Sequence, residues 1–150
     1  MPNRILAVGA VLFSTAQAAS ASGGIGCSLS DNKAEFEINA AVTHGMGGPV
    51  FQLDATAGIK DPAIAKDLAM TAFDRSHLAQ YWLDGKEMRL LLYRERANDL
   101  PHGYAELTIL TEAADEGEYK GAYAIRVFDT GASPEGRTWE IAGDVTCFVE

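Results

Sequence analysis

Basic residues are scarce in this chain. Lys and Arg number 12 against 21 Asp and Glu in 150 residues, a formal net charge of −9. So acidic a domain is repelled by phosphate backbones and anionic lipid headgroups. Nucleic acid and membrane surfaces are therefore set aside as partners, and a basic protein or a cation is favoured. Histidine is scarcer still, at three. Long hydrophobic runs are missing: the unbroken apolar stretch Ile5–Phe13 is too short to span a bilayer. No Asn-x-Ser/Thr acceptor occurs, which fits a bacterial exported protein.

Catalytic signatures are absent as well. There is no G-x-S-x-G elbow, and the adjacency of Ser76 and His77 on the chain does not place a nucleophile and base in reacting geometry. Gly45-x-Gly47-Gly48 is followed by no GK[ST], so it is not a phosphate loop. Carboxylate pairs for glycoside chemistry could be drawn freely, but no apolar setting singles one out. A small hydrolase stays open as an alternative that depends on a pocket with a displaced pKa.

What is present begins with an export signal. Arg4 supplies the charge, Ile5–Phe13 the apolar core and Ala16-Gln17-Ala18 a small-x-small cleavage site. The expectation is a signal peptide over residues 1–18, a flexible linker over 19–26 (ASASGGIG) and one domain over 27–150. The protein is then periplasmic or secreted. Only two cysteines occur, Cys27 and Cys147, near the two ends of that domain. In an oxidising compartment they read as a disulfide.

Within the domain, Lys86–Arg96 (KEMRLLLYRER) organises the rest. Met88, Leu90 and Leu92 lie on one face, and Arg89, Leu91, Tyr93 and Glu95 on the other. That period of two is a strand buried on one side. Similar alternation runs through 33–43, 50–57, 102–111, 119–128 and 137–149. Asp61-Pro62 starts a short helix, and spacings of three and four suggest another over Ser76–Asp84 ending at Gly85. The alternative there is an Asp84-Gly85 hairpin turn between two strands. Glu112–Glu118 reads as an acidic loop. The fold class expected is all-β and mainly antiparallel: a sandwich or small closed barrel of about seven or eight strands with short helical turns.

Three candidate sites follow. His44 and Met46, an imidazole and a thioether on the glycine-rich turn 44–49, could ligate copper if His77 or His102 came near. Glu112, Asp115, Glu116 and Glu118 could hold a hard cation, though without EF-hand spacing. Tyr119 and Tyr123 flank Gly121 on one strand face, and Tyr93 lies on the long strand with Tyr81 and Trp82 nearby. Together they offer an aromatic strip for a partner or ligand, set against cross-strand packing that fills the glycine gap. No catalytic residue and no cofactor is expected. The resulting expectation is an exported, non-catalytic binding or interaction module, its partner a basic protein or a small ligand.

Overall fold

The computed structural model describes residues 22–43, 50–97 and 99–150. They form nine strands: β1 (Ser22–Ser30), β2 (Ala34–Thr43), β3 (Val50–Ile59), β4 (Met70–Asp74), β5 (Leu78–Leu83), β6 (Glu87–Glu95), β7 (Gly103–Asp115), β8 (Glu118–Asp129) and β9 (Arg137–Val149). One short helix, α1 (Lys66–Ala69), precedes β4, and a 3-10 turn, Arg75–His77, separates β4 from β5. All strands belong to one antiparallel sheet in the order β4-β3-β2-β1-β9-β8-β7-β6-β5, which curls into a nearly closed barrel.

The order fixes strand directions. Every pairing is antiparallel, so counting outward from β1 in both directions gives β4 and β5 the same direction. They are two halves of one broken strand. The first half pairs with β3, then three residues of 3-10 turn shift the chain, and the second half pairs with β6. The wall is thus an eight-position up-and-down barrel with its fourth position broken.

Alternation decides what fills it. Ile25, Phe36, Ile38, Met88, Leu90, Leu92, Leu107, Ile109, Ile125 and Val127 all point inward and are buried. These are the apolar halves of the period-two patterns, and a slip of one residue would expose each set. Cys27 and Cys147 are paired residues of β1 and β9, with sulfurs 2.02 Å apart. The disulfide therefore lies where the two ends of the chain close the sheet. A structural disulfide of this kind belongs to a non-reducing environment.

One end of the barrel is plugged by the connection between β3 and β4, whose Ile64 and Leu68 join the core. Arg96, its side chain only 6% exposed, pins that plug. Its guanidinium donates to Asp67 on α1 (2.6 Å), to both carboxylate oxygens of Asp129 (2.9 and 3.0 Å) and to the Pro101 carbonyl (2.8 Å). The charge is buried but fully partnered.

Four segments depart from the sequence reading. The expected linker 19–26 is strand from Ser22 onward, because Ile25 packs inward and small residues let β1 pair along its whole length with β2. Ser76–Asp84 is not a helix: Leu78–Leu83 pairs with β6, and Gly85 at φ +83 turns the chain into it. Pairing to an existing strand outweighs a three-and-four spacing in so short a segment. Glu112–Glu118 is no loop but the tip of the β7–β8 hairpin, turned by Gly117 at φ +71. The stretch after Asp61-Pro62 forms a turn capped by the Asp61 carboxylate, with the helix itself delayed to Lys66.

Candidate functional site

Two openings on the surface compete as sites. The larger is a groove of about 720 Å³ on the outer face of β5, β6 and β7. The register builds it in rows: Trp82, Arg89 and Leu110 side by side, then Gln80, Leu91 and Thr108. These are the alternate residues of strands whose other halves fill the core, so their side chains face out. Trp82 and Leu110 are 54% and 52% exposed. Arg89 and Glu106 border this apolar floor with opposite charges, and Arg89 pairs with Glu87. An indole beside a branched aliphatic and a guanidinium makes a surface that takes both apolar and hydrogen-bonding groups.

Next to it, toward the plugged end, Tyr93, Tyr104, Phe128 and His102 stack outside the barrel, with centroids 5.3 to 6.2 Å apart. The Tyr93 hydroxyl donates to Glu95, and burial followed by that bond pushes it up to about 12. It is a structural hydroxyl that stays protonated.

The second opening is a cleft between β1 and β9. These strands pair only over Ile25–Cys27 and Cys147–Val149, then separate above the disulfide. The gap of about 430 Å³ is lined by Leu29, Asp31, Tyr123, Ile141 and Asp144 among others. A further opening of about 320 Å³, bordered by Lys60, Pro62 and Trp139, shares Lys33, Glu140 and Ile141 with it and extends it toward the plug. Tyr123 lies over Gly143, where an added Cβ would stand 3.0 Å from its ring. Phe36 packs on its other side at 5.1 Å. Burial, and then the nearby Asp31 carboxylate, raise the Tyr123 hydroxyl above its ordinary value.

The proposed aromatic strip divides. Tyr119 and Tyr123 are buried inward-facing residues of β8, whereas Tyr93 lies on the outer face. Alternation decides this: odd positions of β8 face the interior. The three share no surface. What the sequence had less reason to join, Trp82 with Leu110 and Arg89, is brought together by strand register. The available signal was apolar residues, Leu91 and Leu110, at positions whose period called for polar ones.

His44 and Met46 lie outside the described residues. The Nδ1 of His77 accepts from the Asp74 backbone N–H at 3.0 Å, while His102 opens β7 at the barrel end opposite to Thr43 and Val50. The carboxylates of the β7–β8 tip also stay apart, with Lys120 pairing to Glu118. Among the described residues, no three His, Cys, Asp or Glu side chains gather as metal ligands do.

Resolved carboxylate shifts all run downward. Asp31 and Asp84 accept backbone N–H groups at turns, Asp74 accepts from Ser76, and Asp129 is held by Arg96. Each is stabilised in its ionised form, the reverse of what a general acid requires. The chain matches no family model, no curated protein and no solved structure.

Proposed function

We propose that the protein is an exported, non-catalytic binding module that docks a basic protein partner on the outer groove of β5–β7. The observation that carries this is the pair Trp82 and Leu110, both more than half exposed on the floor of the largest groove. Aromatic anchors with a polar border are how protein surfaces concentrate binding energy. The net charge of −9 supports a basic partner and a fast, steered encounter. Export is supported by the leader-like residues 1–18 and by the disulfide, with the periplasm as the compartment.

The test is capture from periplasmic extract by the immobilised chain and by its Trp82→Ala variant. A basic partner is expected that falls off as salt rises and is reduced at least tenfold by the substitution. Equal capture by both forms, or capture indifferent to salt, would sink the reading.

A further inference from the structure

Sheet edges are ordinarily covered. At the broken fourth position, unpaired carbonyls are taken by arginines. Arg75 donates to the Val50 carbonyl at 2.6 Å, and Arg94 to the Ala72 carbonyl. Among the described residues, the upper part of β9 receives no such cover. The Val149 N–H bonds to Gly117 on the β8 side and the Glu150 N–H to Gly24 on the β1 side. Because successive residues of a strand point their backbone groups to opposite sides, even-numbered residues of β9 aim theirs at the cleft. For Thr138, Glu140, Ala142 and Asp144, no described residue pairs with those groups. They form an open edge about 20 Å long. Such an edge is a template for another strand.

The cleft beside it is shaped for one. On its inner side lie Leu29, Ile141 and Tyr123, which is only 4% exposed. Its border carries three carboxylates, Asp31, Glu140 and Asp144, against one cation, Lys33; Asp31 accepts from the Lys33 and Ala34 backbone N–H groups and Glu140 pairs with Arg126, while Asp144 is in no ion pair among the described residues. A strand laid along β9 would turn alternate side chains inward onto the apolar floor and outward beside these carboxylates.

We propose that the upper edge of β9 adds a strand from a partner whose extended segment alternates apolar and basic residues. Main-chain bonds to Thr138, Glu140, Ala142 and Asp144 hold it; the Tyr123 floor takes its apolar residues, and Asp144, with Glu140 and Asp31 outnumbering Lys33 along the border, favours basic ones. The site is independent of the outer groove. Each can fail without the other.

The probe is a seven-residue peptide, Lys-Val-Lys-Val-Lys-Val-Lys, added to the isotopically labelled full chain. Amide hydrogen exchange at Thr138, Glu140, Ala142 and Asp144 is expected to slow at least tenfold. A second peptide, N-methylated at alternate positions, keeps the charge and loses the donors; it is expected to give no protection. Ala142→Pro removes an N–H that serves no ladder within the chain, so the fold should persist while peptide binding falls at least tenfold. Three results overturn the proposal. One is no binding up to about 1 mM peptide. Another is binding that survives N-methylation or Ala142→Pro, which would be charge attraction alone. The third is protection that appears without peptide and grows with protein concentration, which would assign the edge to a second copy of the chain.

Discussion

Replacing Arg96 with Met offers the sharpest check on how the barrel is closed. The guanidinium is 6% exposed, as is the Asp129 carboxylate that faces it. Methionine keeps the length and apolar stem but leaves Asp129 buried without its cation, retaining only the Gly131 N–H at 2.7 Å. Breaking one side of a buried pair typically costs about 3–5 kcal/mol, because the remaining charge is stranded away from water. The Asp67 arm adds little to that figure, since the Asp67 side chain is 43% exposed and solvent screens it. In a chain of this size the loss corresponds to a fall in Tm of about 10 °C.

The pH dependence carries a sign that a mere packing defect would not produce. Arg96 holds the Asp129 carboxyl below its ordinary value. A carboxylate depressed on folding contributes fully above its unfolded value, and the contribution drains as pH falls through the folded one. In Arg96→Met that depression is gone and burial instead favours the protonated form. The stability gap between the two proteins is therefore widest near neutrality; it begins to narrow above the usual carboxylate range, as the variant's stranded Asp129 takes up a proton, and goes on narrowing below it as the wild-type pair is lost. Urea titrations at a series of pH values measure it. Asp129→Asn combined with Arg96→Met should recover part of the loss, as the stranded charge is removed. A cost under about 1 kcal/mol, or a gap independent of pH, would refute the role given to Arg96.

Three further outcomes follow from named contacts. Reducing Cys27–Cys147, which are separated by 120 residues, should lower stability by about 5 kcal/mol on the chain-entropy model, read from denaturation with and without reductant. Gly121→Ala should destabilise by more than about 3 kcal/mol, since its Cβ would stand 2.1 Å from the Leu110 carbonyl oxygen, a backbone atom that cannot turn away. Trp82→Ala, by contrast, should leave the unfolding midpoint within about 0.5 kcal/mol of wild type, because the side chain is more than half exposed; a large loss would make Trp82 structural rather than a docking residue.

The strands were legible because alternation records the solvent boundary directly. Lys86–Arg96 is the clearest case: Met88, Leu90 and Leu92 are all buried, as their period requires. The disulfide was legible from there being only two cysteines, near the two ends of the expected domain, behind leader-like residues. The site was much less so. Whether Tyr123 faces out depends on which side of β8 meets the core, and a glycine between two tyrosines reads the same on either face. The groove at Trp82 depends on three strands being in register, and no single segment carries that information. Ser76–Asp84 misled for a related reason. Its spacing fits a helical face, yet the residues complete a sheet begun by β6, whose demand for a partner lies elsewhere in the chain.

Parity accounts for where the openings fall. An up-and-down sheet whose first and last strands pair antiparallel needs an even number of wall positions. The described residues form nine strand segments, so one connection must pass without reversing direction, and the Arg75–His77 turn is that connection. Its placement leaves β4 bonded to β3 and β5 bonded to β6, with each half lacking its other neighbour. The two arginines that reach across this break satisfy carbonyls there without restoring a ladder. At the other closure, between β1 and β9, the chain uses a short ladder, Ile25–Cys27 against Cys147–Val149, with the disulfide at its end. A covalent bond fixes two residues but bonds no backbone beyond them, and pairing stops at Cys147 on β9. The cleft above the disulfide is therefore a consequence of how the ends are joined: the ladder stops at Cys147, and beyond it no described residue pairs with the β1-side backbone of Thr138, Glu140, Ala142 and Asp144.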